Sequence, residues 1–104
     1  MASIDIKSAD YWFKLVEMLQ QNWALIECQR EADCIVYFIH DESGVFDRME
    51  FESRTLAEEA LRRNGFKRFL DDPVAHTFIR PPSAPFFETE HPNGPIYSSG
   101  RFWK

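Results

Sequence analysis

The side chains able to do chemistry are few and scattered. Two cysteines, Cys28 and Cys34, and three histidines, His40, His76 and His91, are the natural metal ligands and bases in 104 residues. Their spacings match none of the paired zinc patterns, in which closely spaced ligands recur twice along the chain. Cys34 and His40 share one face of an expected strand but stand six residues apart. That is about 20 Å at ~3.3 Å per residue, too far for one ion to bridge. No metal and no other cofactor is expected. Cys28 and Cys34 read instead as cross-strand neighbours, two buried packing thiols in a reducing compartment.

His40-Asp41-Glu42 closes a strand and opens a turn, a place where a base can be oriented by a carboxylate and offered to a substrate. An enzyme using His40, Asp41 or His91 is one alternative reading. Against it, Ser43 stands in no G-x-S-x-G setting and no glycine-rich loop precedes a helix. A solvated turn explains the same residues, so the chain is read as non-catalytic. A second alternative rests on Arg62, Arg63, Lys67 and Arg68, interleaved with Phe66 and Phe69, a pattern that would neutralise and stack single-stranded RNA. Cations in a last helical turn also favour the helix dipole, and Glu58/Arg62 and Glu59/Arg63 stand four apart, which compensates much of that charge.

Seventeen acids against twelve bases leave −5 overall, which opposes attraction to phosphate backbones and anionic lipid. Nucleic acid is not the expected partner. No apolar run approaches the roughly 18 residues of a membrane span, and the start, MASIDIKSAD, lacks the basic-then-apolar pattern of a secretory signal. A cytoplasmic protein without membrane contact is the expectation.

A hydrophobic fraction of 44% with ten Phe, three Trp and three Tyr is globular rather than disordered composition. One domain, residues 1–104, suits this length. Thirteen acids and seven bases lie up to Gly65, four acids and five bases after it, and all six prolines fall in the second part. The chain divides into a regular body, 1–65, and an irregular, proline- and aromatic-rich extension, 66–104.

Trp12, Leu15, Val16 and Leu19 follow helical spacing, with Ser8 or Asp10 as N-cap, and predict a helix over Tyr11–Gln21. Trp23–Cys28 and Cys34–His40 read as a hairpin. The turn Asp41–Gly44 leads to a third strand, Val45–Phe51. Thr55-Leu-Ala-Glu58 reads as a capping box and Asn64-Gly65 as a stop, bracketing a second helix. Asp72-Pro73 opens a short helix to about Ile79. Phe86-Phe87 and Ile96-Tyr97 read as short extended pieces. The fold expected is α+β in the order α-β-β-β-α, a three-stranded antiparallel meander backed by two helices, with the extension packing on the sheet or on a neighbouring subunit.

Hairpin geometry fixes which side chains share a face. Pairing His40 with Val45 sets Phe38 opposite Asp47 and Val36 opposite Met49; Ile26 then opposes Val36 and Cys28 opposes Cys34. One face carries Ala24, Ile26, Cys28, Cys34, Val36, Phe38, Val45, Met49 and Phe51. The other carries Trp23, Leu25, Ile35, Tyr37, Ile39 and Phe46, and neither helix is left to cover it. This surface needs a cover or a partner. The expectation is a small acidic protein that works by binding another protein, as a subunit, adaptor, or inhibitor of the immunity-protein kind, or by pairing with itself as a homodimer. Its binding residues would be Trp23, Tyr37 and Phe46 with Tyr97, Arg101, Phe102 and Trp103 of the string His91–Trp103, rich in hot-spot residue types.

Overall fold

The computed structural model describes residues 3–15, 21–30, 32–40 and 43–90. Its strands are β1 (Ser3–Ile4), β2 (Asp10–Leu15), β3 (Gln21–Gln29), β4 (Ala32–His40), β5 (Gly44–Ser53), β6 (Lys67–Arg68) and β7 (Phe86–Glu88), with one helix, α1 (Arg54–Arg63), between β5 and β6. The three longest strands follow from the densest β-branched and aromatic runs, joined by short connections that force antiparallel pairing. Their registers are those that loop length dictates: Ile26 opposes Val36, Cys28 opposes Cys34, Val36 opposes Met49 and Phe38 opposes Asp47.

The expected three-stranded meander backed by two helices is overturned. The described residues form one seven-stranded mixed sheet, ordered β1-β7-β5-β4-β3-β2-β6, and carry a single α-helix. The expected helix Tyr11–Gln21 does not form: Asp10–Leu15 is a strand paired antiparallel with β3 on one side and β6 on the other, and Gln21 begins β3. The reason is burial. Trp12 packs into the core on one sheet face and Phe13 into the core on the opposite face. A helix would turn one of these large rings toward water, while a central strand buries both. Val16 and Leu19 lie outside the described residues. β7 pairs parallel with β5, the one parallel pairing among the described residues, and holds β1 on its far side.

A second correction lies in the β4–β5 hairpin. The register shifts between Phe38 and Ile39, so that Val45 opposes Ile39 rather than His40. This bulge places the extra residue, Phe46, on the strand after the turn, and a one-residue shift exchanges faces. Val45 joins the face of Trp23, and Phe46 the helix-side core.

Each face of the sheet has its own cover. On one, α1 lays Ala57 and Leu61 over Trp12, Ala24, Ile26, Val36, Phe38 and Phe46, with Phe66 closing the end. The helix starts at Ser53, whose hydroxyl accepts the Leu56 N–H, two residues before the expected cap at Thr55, and ends at Asn64 with Gly65 at φ 91°. On the other face lie Phe13, Trp23, Leu25, Tyr37, Ile39 and Val45, covered by Ile6, Ala75, Ile79 and Phe86, with Phe69 packed against them. Residues 69–79 therefore strap the face that α1 does not reach, with Ile6 and Phe86 beside them.

The expected short helix from Asp72-Pro73 is reduced to one 3-10 turn, Ala75–Thr77, at whose start the Asp72 carboxylate accepts the Ala75 N–H, and another 3-10 turn, Phe69–Asp71, precedes it. The extended reading of Phe86-Phe87 is β7; that of Ile96-Tyr97 lies outside the described residues. Two carboxylates pin the edges. Glu27 accepts the backbone N–H groups of Lys7 and Ser8, and Asp10 accepts from Arg54 on α1 at 2.6 Å and Arg68 on β6 at 2.8 Å. Cys28 and Cys34, read as separate packing thiols, are cross-strand neighbours joined in a disulfide.

Candidate functional site

The groups that an enzyme would need are dispersed. His40 ends β4 opposite Asn22, lies over Gly44 so closely that an added Cβ there would stand 2.1 Å from Nε2, and meets the Phe87 ring edge-on at 6.2 Å. It packs the corner where β5 and β7 meet. Asp41 and His91, the alternative candidates, lie outside the described residues. His76 stacks on Phe69 at 4.2 Å and its Nε2 lies 2.7 Å from the Phe69 carbonyl, so it braces the strap. Among the described residues no group of three His, Cys, Asp or Glu side chains is placed to hold a metal ion.

Of the residues expected to meet a partner, Trp23, Tyr37 and Phe46 are buried within this chain. Trp23 is ringed by Tyr11, Phe13 and Phe69 with centroids 5.5 to 6.0 Å away. Tyr37 has the Arg48 guanidinium 5.7 Å above its ring. Burial is the first cause of its raised phenol pKa; the Glu27 charge adds to it and Arg48 opposes it. A partner docking on the intact fold meets the strap over Trp23 and Tyr37, and α1 over Phe46, instead of these rings. Tyr97, Arg101, Phe102 and Trp103 lie outside the described residues.

The cationic cluster is drawn together in part. Arg68 sits on β6 opposite Trp12 and Lys67 opposite Phe13, so the two leave opposite faces. The hydrogen bond from Arg68 to Asp10 raises the Arg68 pKa, with Asp71 and Glu58 adding to it, and leaves that cation committed to the fold. Arg62 lies 5.0 Å over the Trp12 ring and 3.6 Å from Glu58. Arg63 is exposed at the end of α1. With Phe66 and Phe69 buried or packed inward, the rings that would stack RNA bases belong to the two cores.

Sequence reasoning missed two places. The first is a cleft of about 310 Å³ between the end of α1 and β6, lined by Trp12, Arg62, Phe66, Lys67, Arg68, Asp71 and Asp72. The second is the outward side of the strap. While Phe69, Ala75 and Ile79 turn inward, Leu70, Val74 and Phe78 are 71%, 67% and 49% exposed. Their spacing of four is visible in the sequence, but which side of the strap faces water depends on the sheet beneath. Compared with protein-family models, with curated proteins and with solved structures, the chain matches none.

Proposed function

We propose that this chain is a non-catalytic protein-binding module whose docking surface is the outward side of the strap, Leu70, Val74 and Phe78. The observation that supports it is the exposure of three large apolar side chains within nine residues, on a segment whose other apolar residues close a core. Leaving such groups in water forgoes burial worth roughly 1.5 to 3 kcal/mol each, and clustered exposed apolar groups mark interaction sites. A net charge of −5 opposes pairing of two copies and attracts a cationic partner. The occupant is therefore a different protein, apolar at the contact and basic around it, consistent with a subunit, adaptor or inhibitor role.

The compartment enters through Cys28 and Cys34. A disulfide persists only in an oxidising setting. The cytoplasmic expectation holds if the native protein carries two free thiols, and yields to an oxidising compartment if it carries the bridge.

A photoreactive amino acid placed at position 70 tests the surface in the protein's own cells, with the same group at Glu59, exposed on α1, as control. One discrete adduct at 70, absent at 59 and abolished by Val74→Asp, supports the reading. Adducts of equal yield at both positions, or only a species of twice the chain mass, overturn it.

A further inference from the structure

The cleft beside α1 is lined by none of Leu70, Val74 and Phe78 and has its own unmet chemistry. Trp12 is wholly buried, yet its indole N–H meets no hydrogen-bond acceptor. A buried donor without a partner is costly and uncommon, and each instance calls for an explanation. The ring lines the cleft together with Phe66, and the half-exposed Arg62 guanidinium lies over it, 3.6 Å from Glu58. Such a cation can lift from the ring toward an incoming anion at small cost.

The walls carry both signs. Arg62 supplies the available positive charge, Arg68 is already tied to Asp10, Lys67 at the rim leaves by the opposite face, and Asp71 and Asp72 supply negative charge. A phosphate or other multiply charged anion would meet those two carboxylates and gain little. A ligand bearing one charge of each sign is matched. A volume of about 310 Å³ lies at the small end of ligand sites and suits a single small molecule.

We propose that this cleft binds a small aromatic zwitterion, of the class of a free aromatic α-amino acid. Its ring lies against Trp12 and Phe66, its carboxylate accepts from the Trp12 indole N–H and pairs with Arg62, and its ammonium donates to Asp71 and Asp72. Arg62 moves from the indole face to the carboxylate as the ligand enters, so the site is closed by its own ligand-binding cation.

The test is a titration of the ¹⁵N-labelled full chain with L-phenylalanine, reading the indole N–H signals; Trp12→Phe identifies the Trp12 signal by its loss. The Trp12 signal should move downfield and saturate with a dissociation constant on the order of 0.1 to 1 mM, while that of Trp23 stays in place. N-acetyl-L-phenylalaninamide, which has the ring without the charges, should leave the Trp12 signal unmoved. Arg62→Gln and Asp71→Asn, both at exposed positions that the fold tolerates, should each weaken the response about tenfold or more. The proposal is overturned by no saturable shift up to about 10 mM L-phenylalanine, by an equal response to the uncharged amide, by a response to inorganic phosphate but not to the amino acid, or by undiminished binding in Arg62→Gln.

Discussion

Ile79→Ala measures directly whether the strap is the cover of the second sheet face. Ile79 is buried and belongs to the core formed with Trp23, Leu25 and Ile39, whereas its neighbour Phe78 is 49% exposed. Truncating Ile79 removes about three methylene equivalents at ~0.8 kcal/mol each, and the residual cavity adds to that, for a loss of about 3 kcal/mol. At roughly 5 °C per kcal/mol for a domain of this size, the thermal midpoint falls by about 15 °C. Phe78→Ala, which removes a larger side chain one position away, should cost no more than about 1 kcal/mol because half of that ring is already in water. Urea unfolding of both variants, with the dependence on denaturant unchanged, reads the difference. The midpoint should not vary with protein concentration, since the cover belongs to the same chain. Equal losses from the two substitutions would refute the assignment of inner and outer sides, as would a loss below about 0.5 kcal/mol from Ile79→Ala.

Asp10→Asn should destabilise by about 2 kcal/mol in urea unfolding, between the small worth of exposed ion pairs and the larger cost of breaking buried ones, because its carboxylate is 9% exposed and holds Arg54 and Arg68, which are 26% and 31% exposed. A loss indistinguishable from zero would show that helix and edge strand hold without it. Replacing both Cys28 and Cys34 by Ala, or reducing the bridge, should cost about 2 kcal/mol from loop-closure entropy alone, given a separation of 6 residues between the half-cystines along the chain; an unchanged midpoint after complete reduction would contradict this. Tyr37 and Tyr11 should ionise above the ordinary 10.0 in the native protein, both chiefly through burial. The fold favours the neutral phenol, so their contribution to stability is complete below pH 10.0 and is lost as pH rises through the raised folded values. Phenolate absorbance against pH checks this, and titration of both at the unperturbed value would count against the packing described.

Much of the central hairpin pair was legible in the sequence because short connections leave few registers and alternation leaves one buried face. The cross-strand pairs of Cys28 with Cys34 and Phe38 with Asp47 follow from that alone. The helix Arg54–Arg63 was legible from Thr55-Leu-Ala-Glu58 and the Asn64-Gly65 stop, although the cap lies at Ser53. β2 was not. Its Trp12 and Phe13 enter opposite cores, which erases the period of two, and the residue types that remain imitate a helix. The candidate site was legible only as residue types. Arg62, Phe66 and Arg68 suggested nucleic acid, while the unpaired Trp12 N–H and the carboxylates of Asp71 and Asp72 in the same cleft emerge only when β2, β6 and α1 meet.

What the chain alone determined is local: three long strands, one helix, and a sheet face too apolar to stand in water without a cover. What the tertiary structure decided is every pairing across a long separation, including β1 with β7 and β2 with β6, the bulge that moves Phe46 to the other core, and the side of the strap that Leu70, Val74 and Phe78 occupy. The division has a physical cause. Local propensities and short turns act between neighbours in sequence, whereas burial is a property of a surface that exists only once distant segments have come together.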